Sequence, residues 1–190
     1  MNQPNPPLRH SNLKIATVDL VLMALFASLG LATKNVFHPL VALLTGPLRV
    51  PAGAVAGGLY MMWPVMAYGL VRKPGAATLV SLTQAFISLV VPFGNFGVLS
   101  FVIYLLPGVA IDTFFFLLKH KACCLPCCMG ACAIANVVGT TLIGALVLFL
   151  PTVVLAFLAI IAAISGSIGG FIANMLLVRI SKVYAGGKNS

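Results

Sequence analysis

Ala52-Gly-Ala-Val-Ala-Gly-Gly-Leu-Tyr-Met-Met-Trp-Pro-Val-Met-Ala-Tyr-Gly-Leu-Val71 runs without a single charge and is followed at once by Arg72 and Lys73. About 20 apolar residues at about 1.5 Å each make a helix about 30 Å long, which matches the hydrocarbon thickness of a bilayer. A helix satisfies its own backbone donors and acceptors, so it is the form such a stretch takes in lipid. A basic pair directly behind it marks the flank that stays on the cytoplasmic side. Working outward, the stretches 13–33, 75–92, 97–118, 129–150 and 152–179 have the same character. With 52–71 they predict an all-α, polytopic bundle of six transmembrane helices over residues 13–182. Polar tails are expected at 1–12 and 183–190. The third stretch is short for a span. Pro151 alone separates the fifth from the sixth, so a tight hairpin is expected there, with one long kinked helix as the alternative.

Composition supports the same class. Hydrophobic residues make up 61% of the chain and charged residues 7%, against about 25% charged in soluble domains. Eleven Lys plus Arg and two Asp plus Glu cannot cover a water-facing surface of this size. A formal net charge of +9 would suggest a nucleic-acid partner in a soluble protein. Here the basic residues stand in short clusters between apolar stretches, which argues for the lipid bilayer and against nucleic acid.

Their placement sets an orientation. With both termini cytoplasmic, Arg9, Lys14, Arg72, Lys73, Lys119, Lys121, Arg179, Lys182 and Lys188 fall inside. Only Lys34 and Arg49 fall outside. Moving any one span breaks this asymmetry. Residues 15–32 behind Arg9 and Lys14 imitate a signal peptide, but Asp19 within the apolar run favours a retained first helix. The outward exception, Lys34 to Pro51, reads as a long connection holding Asn35, His38 and Arg49. It either meets anionic headgroups and solvent, or folds over a binding site and supplies donors to a ligand.

Residues for enzyme chemistry are scarce. The only carboxylates, Asp19 and Asp112, lie on different helices, and His10, His38 and His120 fall in the tail or connections. No paired carboxylates, zinc-type His pair or phosphate loop occurs, so the chain is not expected to be an enzyme. Asp112, about 10 Å from the inner end, is expected to lock helices through a hydrogen bond, with Asn136 or Asn174 as partner. Gln84, Ser88, Ser100 and Tyr104 fall in the outer half, Asn95 in the outward turn between the third and fourth helices, and Tyr60 and Trp63 near mid-membrane, which together offer aromatic faces and a few amides and hydroxyls. Such a set suits a flat polar heterocycle; interfacial aromatics and plain interhelical bonds are the alternative.

Cys123, Cys124, Cys127, Cys128 and Cys132 cluster at the start of the fifth helix. Cys124 and Cys127 form a C-x-x-C, open to redox or soft-metal chemistry. The expected cytoplasmic side argues against a structural disulfide, and buried packing is the plainer reading. Small residues recur at Ala24, Ser28 and Ala32, at Gly53, Gly57 and Gly58, and at Gly166, Gly169 and Gly170. Each stripe lets a neighbouring backbone approach, whether within the bundle or on a partner.

Six helices in under 200 residues, with no energy-supplying domain, resemble the substrate-binding S components of energy-coupling factor (ECF) vitamin transporters. The stretch from Gly58 to Ala77, above all the turn Arg72-Lys73-Pro74-Gly75-Ala76-Ala77, is similar to the YkoE-like group linked to thiamin or its hydroxymethylpyrimidine precursor. The segment Gly108 to Asp112 leading to Lys119-His120-Lys121 also looks alike, although that group carries Glu where Asp112 stands. The resemblance covers about residues 13–150.

It implies a subunit of a prokaryotic cell membrane that captures a vitamin at its outer face, under the connection between helices one and two. Lys34, Asn35, His38, Arg49, Tyr60, Trp63, Gln84, Asn95, Ser100 and Tyr104 are the candidate ligand contacts. Delivery would need a transmembrane T subunit and two ATPase subunits. ATP would be used by those partners, with no cofactor or metal bound by this chain. Ala24, Ser28 and Ala32 are the candidate docking face, where the family's Ala-x-x-x-Ala becomes Ala24-x-x-x-Ser28. A soft-metal or thiol-dependent carrier and a non-transporting assembly subunit remain as alternatives.

Overall fold

Each apolar stretch of the sequence contains a helix in the computed structural model, which describes residues 16–46, 50–90, 99–118 and 124–186. The helices are α1 (Thr17–Thr45), α2 (Ala52–Val71), α3 (Ala76–Val90), α4 (Leu99–Leu117), α5 (Leu125–Leu146) and α6 (Thr152–Gly186). Five are long and apolar enough to cross a membrane, and α3 has 15 residues. The described residues contain no strand. The chain is a multi-pass membrane protein. Short connections make successive helices antiparallel. The starts of α1, α3 and α5 therefore share one end of the bundle with the ends of α2, α4 and α6.

Helix α1 corrects the sequence reading most. The expected outward connection from Lys34 is helical as far as Thr45, with Pro39 inside it. A proline interrupts helical hydrogen bonding and costs about 3 kcal/mol in water, but spanning helices tolerate it because neighbours re-satisfy the freed groups. Pro64 and Pro107 sit inside α2 and α4 in the same way. Helix α1 is thus about 43 Å long and outruns the hydrocarbon, which leaves Lys34 about 26 Å along it, beyond its midpoint. Helix α5 starts at Leu125 with Pro126 in its first turn, a position that needs no N–H partner. It ends at Leu146, four residues short of the expected 150. A turn over residues 147–151 then leads into α6, so the hairpin is the form adopted.

Two glycine stripes are internal packing. A Cβ on Gly169 would lie 2.0 Å from the Gly58 carbonyl oxygen, and one on Gly170 2.4 Å from that of Cys128. Backbones of α6, α2 and α5 therefore touch directly, as small residues permit in membranes. On the other side of α2, α1 packs through Met23, Phe26 and Ala27, which join Val65, Met66 and Phe115 in the core.

The end of the bundle that holds the start of α1 is closed by polar contacts. Arg72 ends α2 in the left-handed conformation (φ 54°), and Gly75 (φ 87°) completes the turn into α3. Lys73 in this turn meets Asp19 at 2.6 Å. Asp112 of α4 accepts the Thr78 backbone N–H at 2.7 Å and the Thr78 hydroxyl. It caps the first turn of α3, where helical N–H groups lack partners and a negative charge is favoured. The expected helix lock exists, but its partner is Thr78 and not Asn136 or Asn174. Asn136 instead donates to Ala162 O at 2.9 Å and to Ala54 O at 3.3 Å. That ties α5 to α6 and α2, with Gly57 leaving room for its amide.

Candidate functional site

A cavity of about 260 Å³ opens at the other end of the bundle. Its walls come from the second half of α1 (Lys34, His38, Ala42), the start of α2 (Pro51–Ala54, with Tyr60 and Met61), Ile103 of α4, and α5 (Asn136, Gly139, Thr140, Ile143). Leu148 closes it from the hairpin. The α5 contribution follows helical spacing, so one face of that helix forms one wall. Most of the lining is apolar, with a few polar groups converging, which is the usual character of a small-molecule site.

The polar groups differ in how far the protein satisfies them. The Lys34 ammonium donates to the Tyr104 hydroxyl and lies 4.3 Å from that ring's centroid. The Tyr60 hydroxyl donates to Gly53 O at 3.3 Å, a long contact. Asn136 is 1% exposed and fixed by its two carbonyl partners. Thr140 is 4% exposed, and its hydroxyl has no hydrogen-bond partner among the described residues.

Of the residues expected from sequence, Lys34, His38 and Tyr60 line this cavity, and Tyr104 reaches it through Lys34. Lys34 and His38 do so from a helix, where a covering loop was expected. Three others act elsewhere. Trp63 donates to Thr33 Oγ1 at 2.9 Å and packs near Phe26, joining α2 to α1. Gln84 reaches Ala27 O at 3.4 Å, over Gly30, joining α3 to α1. Ser88 donates to Ala85 O of its own helix. Ser100 is buried without a partner among the described residues and is not part of the cavity lining, and Asn35 is half-buried on α1 outside that lining. Arg49 and Asn95 lie outside the described residues, as do Arg9, Lys14, Lys119, Lys121 and Lys188.

Sequence reasoning missed the α5 wall. Asn136 and Thr140 stand one helical turn apart in an apolar helix, with Gly139 between them. That signal was present. A groove of about 380 Å³ between α2 and α6 is a weaker candidate: its lining is aliphatic apart from Ser165 and Gly169. The Ser165 hydroxyl is engaged with Val55 O.

Cys124, Cys127 and Cys128 lie at the start of α5, away from the cavity; Cys132 stands one turn before Asn136 with its Sγ 3.7 Å from Met61 O, and Cys123 lies outside the described residues. The Cys124 and Cys127 sulfurs are brought side by side at the start of α5. Cys128 and Cys132 are buried in the core. Among the described residues, no group of three or more His, Cys, Asp or Glu gathers as a metal site.

Residues 18–138 match the family model described as "ABC-type cobalt transport system, permease component". The chain belongs to that family. The matched stretch holds α1 to α4 and the first half of α5, so it includes Lys34, Tyr60, Tyr104 and Asn136. The fold of this permease is similar to a solved protein titled "Crystal structure of an S-component of ECF transporter". The TM-score is 0.75 and identity 21%, over 91% of this chain and 88% of the other. No curated protein sequence matches the permease.

Proposed function

We propose that this permease is the substrate-capturing subunit of an ECF-type uptake transporter, binding a small single-ring heterocycle in the cavity beneath the outer part of α1. The carrying observation is that cavity: it lies at the end away from Arg72 and Lys73, which the orientation rule puts outside. Both termini are then cytoplasmic. Its volume falls just below the range of about 300–1,000 Å³ common for drug-sized ligands, which favours a compact molecule.

Charge narrows the choice among candidates. Both cobalt, in the family's description, and thiamin, in the resembling group, are cations. The Lys34 ammonium opposes either, and no carboxylate or thiolate lines the cavity to attract them. Neutral hydroxymethylpyrimidine meets no such opposition and offers ring nitrogens and hydroxyl oxygen to Lys34 and Thr140. Ala24, Ser28 and Ala32 lie exposed along one side of α1, as docking on a T subunit requires. Two ATPase subunits would supply the energy.

Uptake of labelled hydroxymethylpyrimidine, thiamin and Co²⁺, with and without the T subunit and ATPases, tests this reading. The expected result is partner-dependent uptake of the pyrimidine, unaffected when Cys124, Cys127, Cys128 and Cys132 are all replaced by Ser. Partner-dependent Co²⁺ uptake without any organic substrate, or transport lost with the cysteines, would overturn it.

A further inference from the structure

The chain contains only two carboxylates, and both are engaged at the end away from the cavity. Asp19 meets Lys73 at 2.6 Å, and Asp112 caps α3 through Thr78. Lys34 therefore stands in the cavity wall against a phenol and its ring, with the His38 imidazole one turn away and no counter-charge. Placing a cation at membrane depth costs about 2.5–3.5 kcal/mol at a helix centre, so one that stays there without a carboxylate points to an anion supplied from elsewhere. An ammonium has three donors, and Tyr104 takes one. On the α5 wall of the same cavity, the Thr140 hydroxyl is buried and unpartnered, a cost that a bound molecule would remove.

We infer that the cavity favours a ring bearing an anionic oxygen group, a carboxylate or a phosphate, over the neutral ring of the same size, with that group held by Lys34 and the Thr140 hydroxyl bonded to the ligand's remaining polar edge. This rests on the capture reading and sharpens its substrate class. The cavity then ranks ligands of equal size in the order anionic, neutral, cationic. Charge-assisted hydrogen bonds are the strong ones, and the surrounding apolar lining keeps water from screening this one.

Matched pairs differing in charge test the ranking on the purified full chain. Suitable pairs are hydroxymethylpyrimidine with its phosphate monoester, and nicotinamide with nicotinate. Affinities are measured by titration calorimetry for wild type, Lys34→Gln and Lys34→Arg. The expected result, in whichever pair binds, is a charged member bound about tenfold tighter or more by wild type. That ratio should fall to about one in Lys34→Gln and return in Lys34→Arg. Equal binding within a pair, or a ratio that survives Lys34→Gln, overturns the charge inference and leaves the capture reading intact. Binding of no member of either pair by folded wild type overturns this substrate class together with the single-ring reading. The Thr140→Val variant adds a second readout: affinity for the bound member should drop about threefold to tenfold with thermal stability kept.

Discussion

Two stripes of small residues at helical spacing meet opposite fates in this molecule. On α6, Gly166, Gly169 and Gly170 press against the backbones of α5 and α2, close enough that added methyl groups would strike carbonyl oxygens. On α1, Ala24, Ser28 and Ala32 face outward, while Met23, Phe26 and Ala27 on the other face enter the core. The α6 stripe holds the α2–α5–α6 half rigid, and that half carries the Tyr60, Asn136 and Thr140 side of the cavity. The α1 stripe is exposed on the bundle's surface, which leaves it available to a partner. Small residues at helical spacing can therefore serve internal or external contact, and exposure distinguishes the two.

The sharpest way to break the contrast is on α6. Gly169→Val puts a branched side chain where only 2.0 Å separates Cβ from a backbone oxygen of α2, and backbone cannot rotate away as a side chain can. Overpacking of that kind is expected to cost about 3 kcal/mol or more, seen as a collapsed melting temperature or loss of monodisperse protein in detergent. A variant that melts like wild type would mean that the α2–α6 contact is not formed.

A smaller effect is expected where helices are joined by one polar contact. Asp112→Ala removes the cap on α3 and leaves Thr78 unpaired, for a loss of about 1–3 kcal/mol in thermal unfolding. Asp112→Asn keeps an acceptor and should lose less. Equal damage from both would assign the effect to charge and not to the hydrogen bond.

The smallest effect on stability belongs to α1. Ser28→Leu enlarges an exposed residue and should change the isolated protein by no more than about 0.5 kcal/mol. It should at the same time reduce co-purification with a T subunit. A drop in stability matching that of Asp112→Ala would show that the α1 stripe is packed within the bundle after all.

Much of the fold was legible beforehand because apolar length is a local property. The spans near 52–71, 97–118 and 152–179 needed only the cost of exposing backbone to lipid. Helix ends were less legible. The reading of Lys34 to Pro51 as a loop followed from its polar residues Lys34, Asn35, His38 and Arg49 and from Pro39 and Pro47, of which proline is the helix breaker in water. Lipid raises the cost of unpaired backbone enough to keep the helix through Pro39. The cavity was half legible. Tyr60, Lys34 and His38 were named for their chemistry, but Trp63 and Gln84 have the same chemistry and serve as interhelical ties. Thr140 was overlooked because one hydroxyl in an apolar helix usually bonds its own backbone, as Thr141 does with Val137 O.

By itself, the sequence determined that this chain lives in a bilayer, that it crosses in six segments, and which end collects the positive charge. Each of those follows from the transfer of residues between water and lipid, summed along the chain. Only the tertiary structure decided which glycines touch backbone, that Asp112 serves Thr78, and that Lys34 and Thr140 share one cavity while both carboxylates lie far from it. Those are relations between residues distant in the chain, set by how six helices rotate and close against one another, and no local pattern encodes that rotation.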